Sequence, residues 1–379
     1  MYSSSETHSH KTGPQTVSVD QPEVSLNRAI DTLLLGNFHD RWEVTKRLQN
    51  FGEEAISPIL ALLGDDSLDW EVRWFAARTL GEFDRPEVVA ALLSLFMATE
   101  DEELRQSAAD ALTQIGPSAV AALAHSLRER DRKPIAAQAL AQIRHRSTIP
   151  PLLELAQDES ASLRALALEA LAGYPEPRVL TAVQAALVDP AGEVRLQAVR
   201  ALGAYRQKLD PQDLMDWLEP RLQDGHLGVC QAAIALLGRL SLPTAAARLI
   251  ALIQTPTTPK SLRLKAIQSL GWMGIRPAVE GLLEIWQEAS VDERSAIVTA
   301  LSHQPETELR ELAAQALLSW LQQLSLERPS SELEPLRRQS ALALGQMRVV
   351  AARATLEVLK EDPDEGMRLH AIAALRHLD

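Results

Sequence analysis

The stretch Asp69–Phe83, DWEVRWFAARTLGEF, decides the fold. At about 100° per residue, Val72, Ala76, Leu80 and Phe83 fall on one helical stripe. Arg73 lies at the edge of that stripe, and Trp70 and Trp74 point away from it. An arginine beside an apolar face and two large aromatics off it require separate explanations.

The arginine is explained by recurrence. Aligned on Arg73, the pattern V/L-R-x-x-A-x-x-x-L-G-x-φ returns along the chain. Clear copies are DEELRQSAADALTQI around Arg105, SLRALALEALAGY around Arg164 and EVRLQAVRALGAY around Arg195. Others are SLRLKAIQSLGWM around Arg263, PLRRQSALALGQM around Arg337 and GMRLHAIAALRHL around Arg368. Weaker copies are anchored at Arg41, Lys133, Cys230 and Arg294, which makes eleven anchors, nine of them arginine. The steps are 28 to 35 residues, apart from one of 43 between Arg294 and Arg337. Before each anchor helix comes a second apolar helix, as in 86–97, 147–157, 243–254 and 276–287, and several open near proline, which suits a first helical turn.

Two antiparallel helices cannot bury their apolar faces alone and must stack on neighbouring pairs. The sequence therefore predicts an all-α protein, a right-handed α-solenoid (α–α superhelix) of about eleven helical pairs over residues 24–379. A longer, irregular unit is expected at about 305–336, with a protruding polar loop near Arg328–Ser331. Residues 1–23 are polar, have no apolar core and are expected to be a disordered tail; His8 and His10 lie there without a third ligand.

Arg41, Arg73, Arg105, Arg164, Arg195, Arg263, Arg294, Arg337 and Arg368 are read as structural. A catalytic arginine occurs once, whereas a ladder arginine occurs in every rung. Small residues three and four positions on let helices approach. The arginine lays its methylenes on the core and sends its guanidinium to a carboxylate or to turn carbonyls of the adjacent unit. Asp69, Asp101 and Asp364, four residues before their arginines, are expected as N-caps and as such partners.

Composition excludes several functions. Net charge is −13, against the basic surface that phosphate binding demands, so no nucleic-acid partner is expected. No apolar run reaches the ~20 residues of a membrane span. The single cysteine, Cys230, rules out an intramolecular disulfide, favours a reducing compartment and, in its apolar setting, reads as an inert buried thiol. No Gly-rich phosphate loop, CxxC, HExxH or GxSxG occurs, and the histidines lack ligand spacing, so neither cofactor nor metal is expected.

The repeated units and the P-x-V/I-x-x-L helices before them resemble the HEAT-repeat class, more narrowly the short HEAT-like repeats of the phycobilisome lyase family. The resemblance covers residues 24–379. It implies an α-solenoid, and it implies a bilin lyase subunit, a phycobilisome degradation factor or an adaptor without chemistry. VRWFAARTLGEF also resembles the aromatic-rich helix of E-type bilin lyase subunits. The His-Glu pairs of the HEAT-like di-iron hydroxylases are missing, and the overall charge does not suit the HEAT-like DNA glycosylases.

In such solenoids the second helix of each pair lines the concave face, with outward positions one and five residues after the anchor. Trp42 and Trp74 occupy the first of these in adjacent units, Lys46 and Arg78 the second, and Trp70 precedes Trp74 by one turn. These five residues are the expected partner-binding patch, since exposed tryptophan and arginine clusters are enriched at hot spots. Trp217, Trp286 and Trp320 fall in first helices and are expected to be structural. A secondary basic patch is expected from Arg128, Arg130, Arg132, Lys133, Arg144 and Arg146, within a helix that Pro134 shortens. The expected function is a non-catalytic adaptor or assembly factor gripping a protein on its concave face, with a phycobilisome or photosynthetic partner implied by the resemblance. The alternative is a bilin lyase subunit, and only there is a bilin bound. The expected location is cytoplasmic, including the periphery of the thylakoid surface.

Overall fold

The structure is a computed structural model that describes residues 25–326 and 333–378. The expected tail, His8 and His10, and the loop near Arg328–Ser331 lie outside the described residues.

Backbone packing divides the chain into two compact units, meeting in sequence between Ser126 and Leu127. The first holds α1 (Leu26–Leu35), α2 (Phe38–Leu48), α3 (Ile56–Gly64), α4 (Trp70–Leu80), α5 (Pro86–Ala98), α6 (Glu102–Ile115) and α7 (Val120–Ser126). The second begins with α8 (Lys133–Gln142), α9 (Ile149–Leu155), α10 (Ala161–Leu171), α11 (Pro177–Ala186) and α12 (Gly192–Leu202). It continues with α13 (Pro211–Leu218), α14 (Leu227–Gly238), α15 (Pro243–Gln254), α16 (Lys260–Met273), α17 (Arg276–Ile285) and α18 (Val291–Ser302). It closes with α19 (Thr307–Leu326), α20 (Glu334–Gln346), α21 (Arg353–Val358) and α22 (Glu365–Leu378). Taken in chain order, the 22 α-helices of the described residues fall into eleven successive twos, and every anchor lies in the second helix of its two. The α-solenoid class is therefore the observed one.

The recurring positions have recurring jobs. The residue before the anchor and those three, four and seven after it are buried: Val72, Ala76, Ala77 and Leu80 in α4, Val194, Ala198, Val199 and Leu202 in α12. Proline opens α5, α11, α13 and α15, where its missing N–H has no helical acceptor to lose. Pro134 likewise sits in the first turn of α8, a helix of 10 residues against 14 in α6. The long step is taken up by α19, which runs for 20 residues.

The Leu-Gly of the motif is where neighbouring second helices touch. A Cβ on Gly345 of α20 would lie 2.4 Å from Ala374 Cα of α22, and one on Gly271 of α16 would lie 2.6 Å from Ala300 Cβ of α18. In both, a glycine eight residues after one anchor faces an alanine six residues after the next.

The arginine ladder forms, with different acidic partners than the sequence reading assigned. Arg195 Nη1 donates to the Asp189 and Pro190 carbonyls of its own turn at 2.8 and 3.0 Å. Its Nε and Nη2 donate to both carboxylate oxygens of Asp224, in the turn of the following pair, at 2.7 and 2.6 Å. Arg164 repeats this with the Asp158 and Glu159 carbonyls and the Asp189 carboxylate. Arg337 and Arg41 also reach forward, to Asp362 and Glu71. Lys133 reaches Asp158 at 2.8 Å.

The expected pairing of an arginine with the aspartate four residues before it is not what forms. Asp101 caps α6 through the Leu104 N–H. Asp364 caps α22 through the Met367 N–H while pairing with Arg338. Asp69 makes no side-chain cap, and Arg73 instead takes the Leu63 carbonyl and Asp66. An arginine rooted in the first helical turn projects toward that turn's loop and the next pair, out of reach of its own N-cap carboxylate.

Candidate functional site

The candidate site belongs to the first compact unit and rests on α2 and α4. The Asn37 side chain accepts from the Asp40 N–H, and Asp40 returns the bond to the Asn37 N–H, so a capping box fixes the start of α2. Arg41 is 8% exposed and tied to the Leu33 and Leu34 carbonyls at 3.0 and 3.1 Å, which holds the root of Trp42.

Trp42 and Trp74 are both half-buried, and the Arg78 guanidinium lies between them. Its Cζ is 4.6 Å from the Trp42 ring centroid and 5.7 Å from that of Trp74. Both distances are within cation–π range. Phe38 extends the cluster: it stacks on Trp42 at 6.3 Å and meets Phe75 edge-on at 5.3 Å, while remaining 57% exposed. Lys46 Nζ lies 5.8 Å from the Trp42 ring.

The two cations differ. Lys46 is neutralised locally by Glu43 at 2.8 Å, whose hydrogen bond and charge hold that carboxyl below its ordinary range. Arg78 is exposed and has no carboxylate partner among the described residues. The surface is thus two indoles, a phenyl ring and one uncompensated guanidinium, suited to an apolar side chain beside a carboxylate. Trp70, the first residue of α4, is 46% exposed and joins no ring contact among the described residues. Phe38, which the sequence reading passed over, precedes Trp42 by one helical turn.

The six cations of the basic stretch fall at the two ends of α8. Arg128, Arg130, Arg132 and Lys133 lie before or at the start of α8, and Arg144 and Arg146 follow its end, about 15 Å on for a helix of that length. Lys133 serves as a ladder rung, and Arg146 approaches Glu176 at 3.6 Å. Trp286 and Trp320 are structural: 3% and 7% exposed, they stack with centroids 3.7 Å apart, and the Arg294 guanidinium sits 5.4 Å from Trp286. Trp217 is half-buried on α13.

Cys230 occupies an anchor position and imitates the arginine in miniature. Its Sγ donates to the Asp224 carbonyl at 3.2 Å, the same place in the turn that Arg195 reaches at Asp189. Burial pushes its thiol above the ordinary range. No group of three or more His, Cys, Asp or Glu side chains is placed to hold a metal among the described residues. No helix among them is long and apolar enough to cross a membrane.

The family defined by HEAT repeats matches residues 56–141, 133–203, 181–261 and 215–317, together well over half of the chain. The chain belongs to the HEAT-repeat family. Among characterised proteins, phycocyanobilin lyase subunit beta of Pseudanabaena tenuis is 36% identical over 86 residues. That stretch is 22% of this chain and 30% of the lyase subunit, so the likeness spans under a third of that relative. Among solved structures, importin beta gives a TM-score of 0.56 at 14% identity, covering 93% of this chain and 55% of importin beta. Kap95p, which binds RanGDP, gives 0.64 at 14% identity with the same coverage. At these identities the likeness is one of fold, and this chain spans about half the length of either neighbour.

Proposed function

We propose that this HEAT-repeat chain is a protein-interaction scaffold whose second-helix face grips a partner through Trp42, Trp74 and Arg78. The observation that carries the reading is the placement of Arg78 between two half-buried indoles with no acidic partner among the described residues. A ladder arginine is consumed by its own turn and, at Arg41, Arg164, Arg195, Arg263 and Arg337, also by a carboxylate of the next pair. Arg78 is five residues after an anchor, outside the ladder, and its charge is available to a partner. Aromatic–arginine clusters of this composition dominate binding energy when buried by a partner. Lys46 and Phe38 form the rim, and Trp70 extends the aromatic surface along α4.

The partner class we favour is a phycobiliprotein met on the concave face in the cytoplasm or at the thylakoid surface, supported by the stretch similar to phycocyanobilin lyase subunit beta. The same stretch favours one second reading, a bilin lyase subunit, in which the indoles would flank a tetrapyrrole. Titration with phycocyanin apo-subunits and, separately, with free phycocyanobilin distinguishes the two. A scaffold binds the subunits and leaves the pigment's absorbance unchanged. A red-shifted pigment band that disappears with Trp42→Ala/Trp74→Ala would replace the scaffold reading with the lyase one.

A further inference from the structure

Trp272 is the large side chain that packing leaves unexplained. It lies on α16, which buries Leu262, Ala266, Ile267, Leu270 and Met273, yet its own side chain is 75% exposed. It follows Leu264 and Gln268 at intervals of four, nine residues after the Arg263 anchor, and so continues the outward stripe of its helix. The corresponding residues of the next anchor helix are Ser295 and Thr299 on α18 and His303 just past its end.

These side chains, with Gln231 of α14, line a groove of about 770 Å³ in the second compact unit. Gly271 and Ala300, where α16 and α18 approach closely, also line it. The volume falls within the range of ligand-binding clefts. An exposed indole above a groove of hydroxyl and amide groups is arranged for an apolar side chain carried on a polar backbone.

The charges at the groove select the kind of backbone. Lys260 at one end is neutralised by Asp292. Lys265 bonds the Gln268 amide oxygen at 3.0 Å. Lys265 has no carboxylate partner among the described residues. On a chain of net charge −13 this leaves one uncompensated cation beside an exposed tryptophan.

We propose that this groove docks an acidic peptide segment of a partner protein, with an apolar side chain against Trp272 and a carboxylate toward Lys265. The proposal rests on the scaffold reading in requiring a protein partner, but on none of the residues of the α2–α4 cluster.

The test is selection of a phage-displayed random dodecapeptide library on the intact chain, with counter-selection on Trp272→Ala, followed by fluorescence anisotropy with the recovered peptides. Recovered peptides should be net negative with at least one aromatic or long aliphatic residue. They should bind Trp272→Ala and Lys265→Glu at least tenfold more weakly, weaken with added salt, and bind Trp42→Ala/Trp74→Ala undiminished. Trp272→Phe, which keeps an aromatic ring, should retain most of the affinity and guards against a folding defect in the alanine variant. Failure to recover any Trp272-dependent peptide, recovery of neutral or basic ones, or indifference to Lys265→Glu would overturn the proposal. Such a failure leaves the scaffold reading standing wherever Trp42→Ala/Trp74→Ala still abolishes capture of a partner.

Discussion

Arg195 and Asp224 are joined through both oxygens of one carboxylate across 29 positions of sequence. The bond ties the second helix of one pair to the turn of the next. Arg195 also fastens its own turn, and Asp224 accepts the His226 N–H at 2.8 Å. One ion pair thereby sets the spacing of two repeats.

Arg195→Ala should destabilise the protein by about 2–3 kcal/mol, because it leaves a largely buried carboxylate without its charged donor. Denaturant unfolding of Arg195→Ala, Asp224→Ala and the double variant measures the coupling. A coupling energy of about 1–3 kcal/mol is expected for a contacting pair, and additivity would show the pair to be incidental.

The same pairs set the acid limit. The hydrogen bond from Arg195 holds the Asp224 carboxyl below the ordinary value of 3.8, and that from Arg164 does the same to Asp189. A depressed folded-state pKa contributes stability that is complete above the unfolded value and lost as pH falls through the folded one. Stability from these rungs should therefore be flat above about pH 5 and decline below 3.8. Asp224→Asn should flatten that decline, which unfolding curves between pH 2 and 6 would reveal.

Two glycines at equivalent positions should respond oppositely to alanine. Gly345→Ala drives a methyl into the α22 backbone at Ala374 and should cost about 1–3 kcal/mol. At Gly203 the nearest atom to a new Cβ is Leu236 Cδ1 at 3.9 Å, so alanine should be neutral or stabilising by up to about 1 kcal/mol. Paired thermal melts decide; equal responses would show that the Leu-Gly contact does not set the helix spacing.

The tryptophans should separate by role. Trp286→Ala removes one partner of a buried stack and should cost about 3–5 kcal/mol. Trp74→Ala, at a half-buried surface site, should cost well under half of that. Cys230 should resist alkylation in the folded protein and react on unfolding, since burial keeps its thiol protonated.

The ladder, the paired helices and the buried stripe were legible because they recur: nine arginines in one register leave one interpretation. The carboxylates opposite them were not, because Asp224, Asp189 and Glu71 belong to the next repeat and are found only once two repeats are stacked. The α2–α4 cluster could be read from Trp42 and Trp74 sharing a register, but its central feature, Arg78 reaching both rings, depends on the distance between helices. Trp272 was missed for a simpler reason. The outward stripe was followed for two residues after each anchor, and the third, about 80° round the helix from the first, still faces out.

The most direct measurement is quantitative affinity capture from native lysate with the wild-type chain and the Trp42→Ala/Trp74→Ala variant, both first shown to melt alike. The expected result is a small set of proteins held by the wild type and lost from the variant. Identical sets would contradict the claim that the indoles flanking Arg78 grip a partner.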